Sequence, residues 1–278
     1  MKNAVMLYDS DCPMCKLYTN SFVQCGLLDA NGRVPYAHQP VEVAALVNQD
    51  RARNEIALVD LTHKKVWYGL DSLVQLLFGR FPFLIHLIHF PLLWYPLKAL
   101  YKLISYNRRV IAPRADGAEG DCAPDLHRGW RLGFIVTAEV VLVLLILKFW
   151  REHWLMSYFQ IKPIFTLMLA IHAFQFVVML SYVKILFKVN LLNYAGNLTV
   201  TGLCGALLLF PVAYLVGPDS WIRSIWFLMV YCFMLWDHRR RDKIMKVDIT
   251  ATGIWVLYRV FLLLCFLGWK FLIVDHIL

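Results

Sequence analysis

The stretch Ala4-Val5-Met6-Leu7-Tyr8-Asp9-Ser10-Asp11-Cys12-Pro13-Met14-Cys15 decides how the N-terminal part of the chain is read. An apolar run of β type delivers two acidic residues and then a Cys-x-x-Cys pair to a point where a helix can begin. Proline suits the first helical position, where an N–H has no partner to lose. Positions three apart on a helix share a face at roughly 5–6 Å, so the two cysteines can close a disulfide. Free N–H groups and the positive end of the helix dipole favour a thiolate on Cys12, while Cys15, one turn further in, is more shielded. The pattern therefore predicts Cys12 as the exposed nucleophile and Cys15 as the resolving thiol. Asp9 and Asp11 are placed to tune proton transfer, and Asp11 to cap the helix.

Two other chemistries fit the same residues less well. An Asp-x-Asp after an apolar strand suits an aspartyl-nucleophile phosphatase, but there Gly-Thr follows and here Cys12-Pro13 does. A structural zinc site needs four ligands, and His38 and Cys25 do not complete a set with Cys12 and Cys15, so no metal and no cofactor is expected. Cys25, ten residues past Cys15 and spaced with Tyr18 and Phe22, reads as a core residue.

The block Tyr8-Asp9-Ser10-Asp11-Cys12-Pro13-Met14-Cys15 resembles the Asp-x-x-Cys-x-x-Cys signature of the DCC thiol-disulfide oxidoreductase family, small thioredoxin-like domains. Ile56-Ala-Leu-Val-Asp60 and Val66-Trp-Tyr-Gly-Leu-Asp-Ser-Leu-Val-Gln-Leu-Leu77 resemble its later strand, hairpin and following helix. The Pro-punctuated stretch from Pro82 to Pro96, closing with Leu100-Tyr101-Lys-Leu-Ile-Ser-Tyr-Asn107-Arg108, completes a likeness over residues 1–112. It implies an α/β thioredoxin-like domain exchanging dithiol and disulfide, with a thioredoxin-like electron donor or a protein dithiol as partner. Ordinary thioredoxins have a proline just before the third strand, and Arg53-Asn54-Glu55-Ile56 lacks it.

The rest of the chain is of another kind. Of 278 residues 60% are hydrophobic and mean hydropathy is +0.57, too apolar for one ordinary soluble domain. Five runs, 132–150, 163–186, 198–217, 221–237 and 254–274, approach the roughly 20 residues that cross a bilayer. The expected organisation is a thioredoxin-like domain (1–112), a small, polar, Gly/Pro-bearing linker with an accessible Cys122 (113–130) and an all-α transmembrane bundle of five spans (131–278). No secretory apolar segment precedes Asp9. The cluster His238-Arg239-Arg240-Arg241-Asp242-Lys243-Ile-Met-Lys246 reads as a loop retained inside, which puts the thiol domain in the cytoplasm and the C-terminus outside a bacterial-type inner membrane. The turn Gly217-Pro218-Asp219-Ser220 then falls outside. The formal charge of +9 is explained by that topology and by anionic lipid, without nucleic acid. Seven cysteines in a reducing compartment are not a disulfide scaffold.

Several features inside these runs carry expectations. His86 and His89 lie in a Pro-broken stretch that reads as short helices on the domain or in the membrane interface. Thr201-Gly202-Leu-Cys204-Gly205-Ala206 has small residues that let another helix approach closely. Cys204, Cys232 and Cys265 read as apolar filler. Glu139 and His172 are charged or polar within spans, and counting residues from the inner ends pairs Glu139 with Arg259 rather than with His172. Besides the membrane-anchored oxidoreductase, the sequence admits a subunit of a membrane complex whose thioredoxin-like domain is a docking module, because five spans exceed what an anchor needs.

Overall fold

Strand β1 (Ala4–Tyr8) leads into helix α1 (Pro13–Gln24), and the chain returns to strand β2 (Arg33–Pro35), parallel to β1. The computed structural model describes residues 3–114, 122, 124–151, 161–217 and 221–269, without the side chains of 150, 151, 161–168 and 261–269. After a 3-10 turn at Tyr36–His38 come the short helices α2 (Val41–Leu46) and α3 (Gln49–Asn54), then the hairpin β3 (Ala57–Asp60) and β4 (Lys65–Tyr68) and helix α4 (Leu70–Phe78). The sheet order is β2-β1-β3-β4, with β1–β3 and β3–β4 antiparallel.

Side chains alternate across a strand, so the buried central strands feed two cores. Val5, Leu7, Ala57 and Val59 pack on one face with Val43, Val47 and Ala52. Ala4, Met6 and Leu58 pack on the other with Leu28, Leu76, Tyr18, Phe22 and Tyr101. The hairpin turn is held by Asp60, whose carboxylate accepts from the N–H groups of Thr62 and His63. Gly69, at φ +61°, starts α4 where a Cβ would lie 2.8 Å from Glu55 Oε2 and 3.1 Å from the Tyr101 ring. Both the dihedral and the close approach call for glycine.

Helices α5 (Pro82–Ile88) and α6 (Pro91–Ser105) meet at 80° and leave Phe83, Leu92 and Tyr95 exposed. His89 bonds Asp71 at 3.1 Å and stacks on Trp94, and His86 bonds the Pro82 carbonyl. A four-residue helix α7 (Arg108–Ile111) comes next. The chain forms two compact units, Met1–Phe134 and Ile135–Leu278. Helix α8 (Arg128–Arg151) already begins within residues 113–130, the expected linker. Cys25 is a correction: it is exposed, because α1 stops at Gln24 and the Tyr18–Phe22 face does not extend to it.

The second unit holds most of α8, then α9 (Ile161–Leu186), α10 (Leu191–Leu215), α11 (Trp221–Ile244) and α12 (Ile249–Trp269). Among the described residues three helices are long and apolar enough to cross a membrane, at Arg128–Phe149, Leu169–Leu186 and Leu191–Leu215; the bent α5–α6 pair makes up to four if it counts as one span. Helix α11 is more polar, with Arg223, Asp237, His238, Arg241 and Asp242 all buried along it. The basic cluster expected as a loop is therefore corrected: it forms the last turns of α11 up to Ile244. Acidic residues beside and within it make the difference, since Asp237 reaches Arg241 at 2.6 Å and Arg240 at 2.8 Å, and Asp242 reaches His238 at 3.1 Å. Residues 218–220 of the expected outer turn, the Cys265 side chain and residues 270–278 lie outside the described residues.

The small-residue segment packs as its composition predicts. A Cβ on Gly205 would run into the side chain of Met234 on α11, and one on Gly202 into Leu142 on α8. Replacing Gly205 with leucine should push α10 from α11 and cost about 1–3 kcal/mol. The check is the thermal unfolding midpoint of the full chain in detergent, and an unchanged midpoint would refute the close approach.

Candidate thiol site

Helix α1 begins with Cys12 as its N-cap, and the Cys12 sulfur accepts from the Cys15 N–H at 3.3 Å. This corrects the capping role expected of Asp11. The Cys12 carbonyl accepts the first helical bond from Lys16 N–H at 3.0 Å, and Thr19 Oγ1 bonds the Cys15 carbonyl at 2.7 Å. The two thiols have opposite environments. A hydrogen bond from the Cys15 side chain, working against burial, lowers Cys12 from 9.0 to about 7, assisted by the Cys15 backbone and the Arg108 charge. The same hydrogen bond, with burial, raises Cys15 far above the ordinary thiol range. Cys12 is thus the more readily ionised of the pair, and Cys15 keeps its proton to higher pH.

Asp9 is buried and sits one turn ahead of the pair. Its Oδ1 accepts from Asp11 N–H at 2.9 Å, Oδ2 lies 3.3 Å from Arg108 Nε, and Oδ1 lies 3.2 Å from Arg109 Nη2. Asp11 reaches Arg114 at 3.3 Å and Arg109 at 4.0 Å. Asp9 is thus held by the two arginines that open α7, and Asp11 by the second of them and by Arg114, three residues past its end. Arg108 is the centre of this arrangement, because its guanidinium also bonds the carbonyls of Arg53, Asn54 and Cys122. Arg53 and Asn54 belong to the segment just before β3, where the proline of ordinary thioredoxins is absent. Sequence reasoning assigned Arg108 no role. In the sequence it is the first of an Arg108-Arg109 pair that closes the Leu100–Arg108 block, and nothing there links it to Asp9, 99 residues away.

Two expectations are corrected here. Cys12 has no exposed surface, and Cys122, expected to be accessible, is 4% exposed with its sulfur 3.7 Å from Arg108 Nη2. Cys15, not Cys12, lines a cavity of about 320 Å³ whose walls include Tyr18, Phe22, Leu73, Tyr101, Ile104 and Arg108. The helix start presents its N–H groups to Cys12, yet Arg108 draws other segments over the same place.

In the second unit Glu139 on α8 bonds His172 on α9 at 2.9 Å and Thr199 on α10 at 2.6 Å. This corrects the Glu139–Arg259 pairing: Arg259 lines the same small cavity, but among the described residues no ion pair joins it to Glu139. Helix α8 starts at Arg128, so Glu139 lies about 17 Å from that end at 1.5 Å per residue, comparable with the depth of His172 in α9. Among the described residues no cluster of three metal-binding side chains occurs. No family model, no curated protein and no solved structure matches this chain.

Proposed function

We propose that the chain is a membrane-embedded thiol-disulfide oxidoreductase of the DCC type, exchanging dithiol and disulfide through Cys12 and Cys15. The observation that carries this reading is the geometry of the pair: Cys12 caps α1, its sulfur accepts from the Cys15 N–H at 3.3 Å, and the two thiols are pushed in opposite directions, Cys12 down and Cys15 up. Its setting supports it too, since Cys-x-x-Cys in a βαβ unit is a thioredoxin-like context, and β1, α1 and β2 form such a unit with a β3–β4 hairpin beside it. Asp9 and Arg108 position the pair and set opposing fields on Cys12. A thioredoxin-like donor or a protein dithiol is the partner the DCC likeness implies. The apolar helices anchor the enzyme in a lipid bilayer, with five spans and the thiol unit on the cytoplasmic side of a bacterial inner membrane as the proposed topology.

The full chain in detergent tests this. In a variant whose other cysteines, the exposed Cys25 and Cys232 among them, are serine, iodoacetamide should label Cys12 ahead of Cys15, slowly because Cys12 is enclosed and with a rate rising through about pH 7, whereas Cys15 stays unlabelled until Cys12 is replaced by serine. Mild oxidation should remove both from labelling reversibly. Failure to form a Cys12–Cys15 disulfide would sink the reading. A second reading, a docking subunit of a membrane complex, draws on the complete burial of Cys12. It expects the Cys12→Ser, Cys15→Ser double variant to support growth as well as the native chain does.

A further inference from the structure

We propose that the cavity beside Cys15 binds a small, neutral dithiol, which the Cys12–Cys15 disulfide oxidises by an exchange that begins at the Cys15 sulfur. This inference rests on the thiol-disulfide exchange proposed above and names its substrate class. Three observations lead to it.

The first is access. Cys12 is fully enclosed, while Cys15 lines the cavity of about 320 Å³. That volume is at the lower end of small-molecule sites. A globular partner would have to open the walls to bring a cysteine to either sulfur, whereas a small dithiol need only enter.

The second is polarity. The wall is mostly apolar, with Leu7, Met14, Phe22, Ile56, Leu73 and Ile104 on it. Arg108 is the cation on it, and its guanidinium is already engaged by Asp9 and by the Arg53, Asn54 and Cys122 carbonyls. The other charged groups on the wall are two carboxylates, that of Asp9, held by Arg108 and Arg109, and that of Glu55, whose partner Arg51 is half exposed. A neutral ligand fits these walls, and an added carboxylate would be desolvated beside Glu55 without a free counter-charge.

The third is the order of bond breaking. Exchange is in line, so a thiolate attacking the cavity-facing Cys15 sulfur expels Cys12, and a sulfur that is stable as thiolate leaves fastest. One substrate thiol, having lost its proton to solvent, bonds to the Cys15 sulfur; the Cys12–Cys15 bond breaks and its electron pair goes to Cys12. The second substrate thiol then attacks the first substrate sulfur, the bond to Cys15 breaks, and Cys15 takes the proton of that second thiol. The dithiol loses two electrons and two protons and becomes a cyclic disulfide. The protein gains the two electrons, ending as Cys12 thiolate and Cys15 thiol. The Cys12–Cys15 disulfide is regenerated by a small, more oxidising disulfide entering the same cavity: Cys15, giving its proton to solvent, bonds to one sulfur of that disulfide and expels the other as a thiolate, and Cys12 then bonds to Cys15 and expels the first.

Single-turnover kinetics on the oxidised full chain in detergent test the proposal. Dihydrolipoamide is the neutral probe, dihydrolipoate the anionic one and a reduced thioredoxin the protein one; hydrosulfide ion is small enough to reach Cys15 past any bulk. Dihydrolipoamide should reduce the disulfide with a saturating rate, about tenfold faster than dihydrolipoate, which corresponds to about 1.4 kcal/mol. Ile104→Trp, at a half-exposed position on the wall, should slow dihydrolipoamide by about tenfold while leaving hydrosulfide unaffected. If hydrosulfide also slows, the variant is misfolded and Leu73→Phe decides by the same comparison. Faster reduction by thioredoxin than by dihydrolipoamide, or a rate indifferent to the cavity-filling variants, would overturn the substrate class while leaving the exchange reading intact. A Cys12–Cys15 disulfide that no thiol of any size reduces would overturn both.

Discussion

Replacing Arg108 with methionine should destabilise the N-terminal unit by about 3–5 kcal/mol, the usual cost of leaving one member of a buried ion pair alone. Arg108 and Asp9 are both buried, and the carbonyls of Arg53, Asn54 and Cys122 lose their donor together with the carboxylate. Arg109 still reaches Asp9 at 3.2 Å, so the loss should fall toward the lower end. Asp9→Asn keeps the shape and removes the charge, and the double variant should recover part of the stability. The same variants shift the thiol in opposite directions. The Arg108 charge lowers the Cys12 pKa and the Asp9 charge raises it. Alkylation of Cys12 should therefore need higher pH in Arg108→Met and occur at lower pH in Asp9→Asn. Unfolding and the pH profile of labelling, on the full chain in detergent, read both effects. Shifts of the same sign in the two variants would show that the thiol responds to altered packing, not to these charges.

How much of this could be read in sequence depends on the range of the interaction. Local signals sufficed for β1 and α1, where an apolar run meets Cys-Pro, and for β3, β4 and α4, where β-type residues give way to helical spacing. Strand β2 went unread because Arg33-Val34-Pro35 is too short to alternate and ends in proline. It is nevertheless the strand that completes the parallel β1–α1–β2 unit. The split between Cys12 and Cys15 arises from their places on one helix, so it was legible. The burial of Cys12 and the role of Arg108 depend on residues about a hundred positions away, and no local pattern encodes that. In the bundle, the pairing of Glu139 with His172 was missed for a related reason: residue counting from assumed span ends misjudges depth when a helix begins earlier than its apolar run does.

The Arg239–Lys246 stretch fails for a different reason, because charge counting ignores partners, and it leads to the second large effect. Arg241 on α11 bonds Asp237 at 2.6 Å and Asn197 on α10 at 2.9 Å, and Thr201 on α10 bonds Asp237 at 3.2 Å. Both charges are buried between helices, where a lone carboxylate has no water to turn to. Arg241→Met should accordingly cost about 3–5 kcal/mol, seen as a large fall in the thermal midpoint of the full chain in detergent. Arg240 still reaches Asp237 at 2.8 Å in that variant, so the loss should fall toward the lower end, and Asp237→Asn alone should cost at least as much because it leaves Arg241 a buried cation without its carboxylate. Asp237→Asn with Arg241→Met should then be more stable than Asp237→Asn by itself, since the unpaired Arg241 cation is gone. If the double variant is no more stable than Asp237→Asn, the pair is not what joins α10 to α11, and packing at Gly205 against Met234 must carry that contact instead.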